Sequence, residues 1–351
     1  MRYKSYTKIS VSTLFLITFI SFLINWKYFD FEKIEGDLTR IGMHSEANYG
    51  NHGVEFFFSP ALSNIGLIEN IDTYDIIIVG DSFSNHRFSS AWHNYLRQDS
   101  GLKVGVFKIG DLDKIQKSSQ YKKSPPKILI YESVERELYN RFNNQNLDSN
   151  CTVNHSDLSR TVLRWESMNV TPHQTTRDVS FSFKVDLALK FLRDRMRSDA
   201  EKKTTILNLT TPNLFTNKNS NQLLVYSEDI KTKKSISASD WRKIECGLIG
   251  LQNKIQENNK TKFIALIAPD KLSVYSPYLV DKTWENMSYY SHFSKDNKLN
   301  LVPLFKRFNE ALRRGDKDIY LPNDTHWGSA GHQLVGRAVL DYLKDISITD
   351  N

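Results

Sequence analysis

From about residue 74 onward the chain alternates between two hydrophobic rhythms. Short, β-branched apolar runs occur at Asp75 to Gly80 (Ile76-Ile77-Ile78-Val79), Leu102 to Ile109, Pro126 to Tyr131 and Lys262 to Ala268 (Phe263-Ile264-Ala265-Leu266-Ile267). Runs of this kind, bounded by turn residues, predict buried strands. Between them lie stretches with apolar residues at helical spacing. These are His86 to Gln98, with Ala91, Trp92, Tyr95 and Leu96 on one side; Val134 to Phe142; Trp241 to Glu257, with Ser239 or Asp240 as cap; and Leu301 to Arg314, stopped by Gly315. The last is Ser329 to Leu343, with Leu334, Val335, Ala338, Val339 and Leu343 in phase. Asp111 to Ser119 reads as a short helix and Asp318 to Leu321 as a short strand. Alternation of this type predicts an α/β fold: a mostly parallel sheet between two layers of helices.

Three regions depart from the rhythm. At the N-terminus Arg2, Lys4 and Lys8 precede the uncharged run Ile9 to Ile24, and Trp26 and Tyr28 follow it. That run is near the short end of the roughly 17–25 residues that cross a bilayer. Positive charge before it and aromatics after it predict a single-pass signal anchor over residues 1–29, with a cytoplasmic N-terminus and the rest exported. Asn25-Trp26-Lys27-Tyr28-Phe29 offers no small-x-small site, which argues against a cleaved signal peptide. Residues 30–73 are weakly patterned and read as a stem. Residues 143–238, rich in Asn, Ser, Thr and charge, read as an insertion in a catalytic domain spanning 74–347. Within it, Val179 to Phe183 is strand-like and Val185 to Arg197 helix-like.

Composition narrows the function classes. The chain has 351 residues, 40% hydrophobic and 25% charged, as expected for a globular protein. Its 47 Lys and Arg against 40 Asp and Glu leave +7, which suits an anionic partner. No basic stripe with interleaved aromatics and no nucleic-acid motif is present, so no nucleic acid is expected. Cys151 and Cys246 could form one bridge in an oxidising compartment or remain two buried thiols. Neither lies in a Cys/His cluster, Asp111-Leu112-Asp113 is a common loop pattern, and His326 and His332 fall on different helix faces. No metal and no cofactor is expected.

Two motifs carry candidate chemistry. Gly80-Asp81-Ser82-Phe83-Ser84 directly follows the first strand, where the active sites of open α/β sheets form. Asp324-Thr325-His326-Trp327 directly precedes the last helix. Ser82 would be the nucleophile, His326 its base and Asp324 the support for the imidazolium. Trp327 would shield the pair from water. Oxyanion donors would be the Ser82 amide and that of Gly110, at the end of the second strand. Arg136 would assist as a charged donor, or pair with Glu132 or Glu135.

This constellation, over roughly Tyr74 to Leu343 without the insertion, resembles the SGNH hydrolase fold. A narrower likeness is to the SGNH-like O-acetyltransferases of bacterial exopolysaccharide export, of the alginate O-acetyltransferase kind. Besides the two motifs, Ala268-Pro269-Asp270-Lys271-Leu272-Ser273-Val274-Tyr275-Ser276-Pro277 resembles that family's proline-lysine-tyrosine stretch, and Val134-Glu135-Arg136-Glu137-Leu138 its Glu-Arg motif. The motif order differs: here the Asp/His segment follows the serine, as in a circular permutation. No Gly-x-Asn-Asp follows the third strand, and the Asp-to-His spacing is one residue shorter than in ordinary SGNH esterases. The resemblance implies transfer of acetyl through Ser82 to an exported polysaccharide, with Asp81, Gly110, Arg136, Trp327 and Tyr275 near oxyanion or substrate. It also implies a bacterial inner-membrane location, a periplasmic domain and a multipass membrane O-acyltransferase partner that supplies acetyl. A carbohydrate esterase or deacetylase, and a non-catalytic polysaccharide-binding scaffold, are the alternatives.

Overall fold

Every residue of Ile76–Gly80 is buried, because this strand is covered on both faces. The structure, a computed structural model, describes residues 2–28, 36–42, 44–142, 151, 163, 165–175, 203–293 and 299–346. Its strands, in chain order, are β1 (Glu55–Phe57), β2 (Asn64–Ile65), β3 (Ile76–Gly80), β4 (Val104–Lys108), β5 (Ile128–Val134), β6 (His173–Thr175), β7 (Thr204–Asn208), β8 (Gln222–Tyr226) and β9 (Lys262–Ala268). Five of them form a parallel sheet in the order β2-β4-β3-β5-β9. Ala265 also bridges Leu301 in parallel beyond β9.

Alternate residues of β3 face opposite layers, as strand geometry requires. Ile76 and Ile78 pack with Trp92, Leu96, Phe308, Val335 and Val339 of helices Trp92–Ser100, Leu304–Arg314 and Ser329–Ile346. Ile77 and Val79 pack with Trp241, Ile244 and Leu248 of helix Ala238–Gln256, and with Ile115 and Leu138. The chain leaves β3 for β4 on one side and returns to β5 on the other. That places the reversal of strand order at the carboxyl end of β3, where crevices form in such sheets.

The structure amends several sequence expectations. The cap of helix Ala238–Gln256 is Ser237, in a capping box with Asp240. Asp318 to Leu321 is no strand; Tyr320 makes a single antiparallel bridge to Trp327. The stem is part of the fold: β2 pairs with β4, and β1 pairs with β6 of the insertion. The insertion also contributes the antiparallel pair β7–β8, helix Ser227–Ser235 and core residues Leu214 and Phe215. The strand expected at Val179 to Phe183 and the helix expected at Val185 to Arg197 lie outside the described residues. Cys151 and Cys246 form a disulfide across 95 positions.

At the N-terminus a helix spans Arg2–Tyr28. Its segment Tyr6–Leu23 is long and apolar enough to cross a membrane, and none of its residues is buried.

Candidate active site

The turn after β3 is built around Asp81. Its Oδ1 accepts the Phe83 amide at 3.1 Å, capping the short helix Ser82–Asn85. Its Oδ2 accepts the Val134 amide at 2.7 Å and an Arg141 Nη2 bond at 3.3 Å. Asp81 therefore ties the turn to β5 and has no lone oxygen to offer a substrate, contrary to expectation. Gly80 is required for space: a Cβ there would lie 2.6 Å from Glu132 Oε2 and 2.7 Å from Ser84 Oγ. The cap takes the Phe83 amide and leaves the Ser82 amide in the helix's first turn, at an exposed residue.

The loop before the last helix meets this turn. Ser82 Oγ lies 2.9 Å from His326 Nε2, and His326 Nδ1 lies 2.7 Å from Asp324 Oδ1. With Nδ1–H donating to Asp324, Nε2 is left to accept the serine proton. Asp324 Oδ1 also accepts the His326 amide at 3.0 Å. Its Oδ2 lies 3.4 Å from Arg87 Nη2 and from the Asp37 amide. Burial works to raise the Asp324 pKa, but the His326 bond and charge and then Arg87 outweigh it, holding the carboxyl well below the usual range. It is ionised whenever His326 has to be stabilised as a cation.

The loop has an unusual floor. Lys271 is buried and its Nζ donates to the carbonyls of Leu321 (2.8 Å), Pro322 (2.9 Å) and Asp324 (3.2 Å). Burial pushes its pKa down to about 7, against the pull of Asp324, Asp37 and Asp318. Arg87 adopts a left-handed backbone, φ 51°. Such a conformation is costly for a residue with a Cβ and tends to persist at functional sites.

Other expected residues have different places. Trp327 is fully buried, packed on Phe83 at 4.5 Å and on Phe308 at 5.8 Å. The phenyl ring against the imidazole is Phe83, at 5.0 Å, and Trp327 presents no surface to a substrate. Tyr275 is equally buried; its hydroxyl accepts the Tyr320 amide at 3.3 Å and its ring lies 4.7 Å from Phe215. It is a core residue, at the end of the wholly buried helix Lys271–Tyr275. Arg136 pairs with neither Glu132 nor Glu135. Its Nη1 lies 3.3 Å from both Asp229 and Asp270, while Lys233 of the insertion bridges Glu135 (3.1 Å) and Asp270 (3.4 Å). This buried five-charge cluster anchors the insertion to the core and occupies Arg136. Gly110 is exposed, with open space where a Cβ would stand. Since Gly80 is level with Lys108, Gly110 stands at the same rim as Ser82.

Asp37, Asp324 and His326 could be read as a metal set, with ligand atoms within 4.8 Å of one another. The would-be ligand atoms are already engaged: His326 Nδ1 by Asp324, and both Asp37 oxygens by Thr325. The donors fit a proton relay better than a metal.

Sequence reasoning missed Asp37, Arg87 and Glu132. Lys271 stood in the motif Pro269-Asp270-Lys271, which was the available signal for it. No family model, curated protein or solved structure matches the chain.

Proposed function

We propose that this chain is a membrane-anchored SGNH-type O-acyltransferase that moves an acetyl group through Ser82 to a hydroxyl of an exported cell-envelope polysaccharide. The hydrogen-bonded series Ser82–His326–Asp324 at the carboxyl end of the first core strand carries this reading. The apolar N-terminal helix supports a membrane anchor with the globular part in the bacterial periplasm.

On this reading the reaction runs in two transfers. The Ser82 hydroxyl attacks the donor's acyl carbon while its proton passes to His326 Nε2. The tetrahedral oxyanion is met by the Ser82 amide and, from the neighbouring rim, that of Gly110; one such donor is worth about 10²–10³ in rate. His326 returns the proton to the leaving oxygen or sulfur of the donor, giving acetyl-serine. A sugar hydroxyl then attacks, losing its proton to His326, and collapse restores the Ser82 hydroxyl. A multipass membrane acyltransferase is the donor partner this reading calls for, since acetyl thioesters are made on the other side of the bilayer.

The exposure of Ser82 favours a second reading. An open nucleophile admits water as well as sugar, and with water as acceptor the same residues make a carbohydrate esterase.

The test is intact-mass detection of acetyl-protein with a chromogenic acetyl ester, with and without oligosaccharide. The adduct should form on wild type and vanish in Ser82→Ala, and acetyl should appear on the sugar. Acetate alone selects the esterase. Wild-type polymer acetylation in cells carrying Ser82→Ala would end both readings.

A further inference from the structure

The loop 323–326 holds half of the proposed relay yet contains no regular element, so its geometry must be imposed by neighbours. The stem imposes much of it. Gly36 lies so close to Asn323 that a Cβ would meet the Asn323 carbonyl oxygen at 2.0 Å. The amides of Leu38 and Thr39 donate to that same oxygen at 3.0 and 3.3 Å. Asn323 Nδ2 donates to Glu46 Oε2 at 2.8 Å, and Glu46 also takes the Thr39 hydroxyl. Leu38 is buried with Tyr49 and Leu224.

Asp37 sits within this seam. Its Oδ1 accepts the Thr325 amide at 2.8 Å and its Oδ2 accepts the Thr325 hydroxyl at 2.6 Å. Oδ2 then stands 3.9 Å from His326 Nδ1. Holding Thr325 needs only acceptors, which a neutral amide could partly supply. Instead a second carboxylate is half-buried beside Asp324, and burial first and the Asp324 charge next raise its pKa. That arrangement is unfavourable until a cation develops between the two. The imidazolium of His326 is such a cation.

We propose that Asp37 is a positioning residue of the relay, fixing Thr325 so that His326 faces Ser82 and supporting the imidazolium from outside the Asp324 contact. This rests on the acyl-transfer reading above. It also makes the site incomplete without the chain that follows the N-terminal helix.

Several titratable or charged groups surround His326. They are Asp324 from its own loop, Asp37 from the stem, His86 and Arg87 from the turn after β3, His332 from the last helix and Lys271 from beneath the loop. Only Asp37 and Asp324 are negative. Removing one negative neighbour leaves the imidazolium formed during turnover less stabilised.

The full-length protein in detergent is assayed with a chromogenic acetyl ester, and kcat and KM are measured separately. Asp37→Asn should lower kcat/KM roughly ten- to hundredfold, with the loss in kcat, and Asp37→Glu, which restores the charge, should recover part of it. A loss carried by KM alone, or no recovery in Asp37→Glu, overturns the electrostatic role; an unmoved rate overturns positioning. If Asp37→Asn does not fold, Thr325→Val replaces it: a lower kcat is expected, and a wild-type rate overturns the proposal. Ser82→Ala is run alongside. Full activity in Ser82→Ala overturns the acyl-transfer reading, while activity lost in Ser82→Ala and unmoved in Asp37→Asn overturns the role of Asp37 alone.

Discussion

The Ser84 hydroxyl donates to Glu132 Oε2 at 2.9 Å, two residues beyond the proposed nucleophile. The same oxygen accepts the Asp81 amide at 3.0 Å, and the Trp92 indole donates to Ser84 Oγ at 3.1 Å. Glu132 is thus the buried base plate of the Ser82 turn, set there by β5 beside β3. Burial first, and then the charge of Asp81, push its pKa well up from 4.5.

A carboxyl whose folded pKa is raised loses stability as pH climbs from its unfolded value through its folded one. Glu132→Gln keeps an acceptor for Asp81 and Ser84 but cannot ionise. It should therefore gain stability relative to wild type as pH rises above 4.5, with the melting temperature as readout. A uniform loss at every pH would show that the proton on Glu132 carries no cost.

His93 should produce the opposite slope. It is fully buried, with Nε2 3.0 Å from the Ser84 carbonyl, and burial lowers its pKa from 6.5 to about 4. The unfolded chain then binds the proton first, so stability drains away as pH falls from 6.5 through 4, by about 3 kcal/mol in the limit. The two slopes oppose one another between pH 4.5 and 6.5. Denaturant titrations of His93→Gln, whose amide can still donate to Ser84, should lose this acid dependence; an unchanged acid limb would assign it elsewhere.

Lys271 tests the floor of the site. Lys271→Met removes the donor shared by three carbonyls of residues 321–324 and leaves the Leu321 carbonyl with only the Asp324 amide, at 3.3 Å. A stability loss of about 3–5 kcal/mol is expected in urea titration. The acetyl-ester rate should fall further than the folded fraction explains, since the same carbonyls shape the Asp324–His326 turn. A wild-type unfolding midpoint would mean that water replaces the ammonium.

What could be read along the chain was whatever each segment carries by itself. Lys262–Ala268 is a strand with the boundaries its apolar run predicted. Ser82 and His326 were legible because a nucleophile turn and an Asp/His pair are local patterns, although 244 positions separate them. The same logic misled at Tyr275 and Trp327. A motif names residue types, but only packing shows that both rings point into the core. Arg136 was visible as a charge in a motif; its partners Asp229 and Asp270 come from other parts of the chain.

Hydrophobic period alone determined the layers, the burial of the central strands and the membrane-type helix, because burial against water is a property each segment expresses in its own spacing. Tertiary structure decided that Asp37, 288 positions from Thr325, would close the relay loop, and that a lysine would sit beneath it. Polar contacts depend on which distant atoms arrive within about 3 Å of one another, and no periodicity along a chain records that.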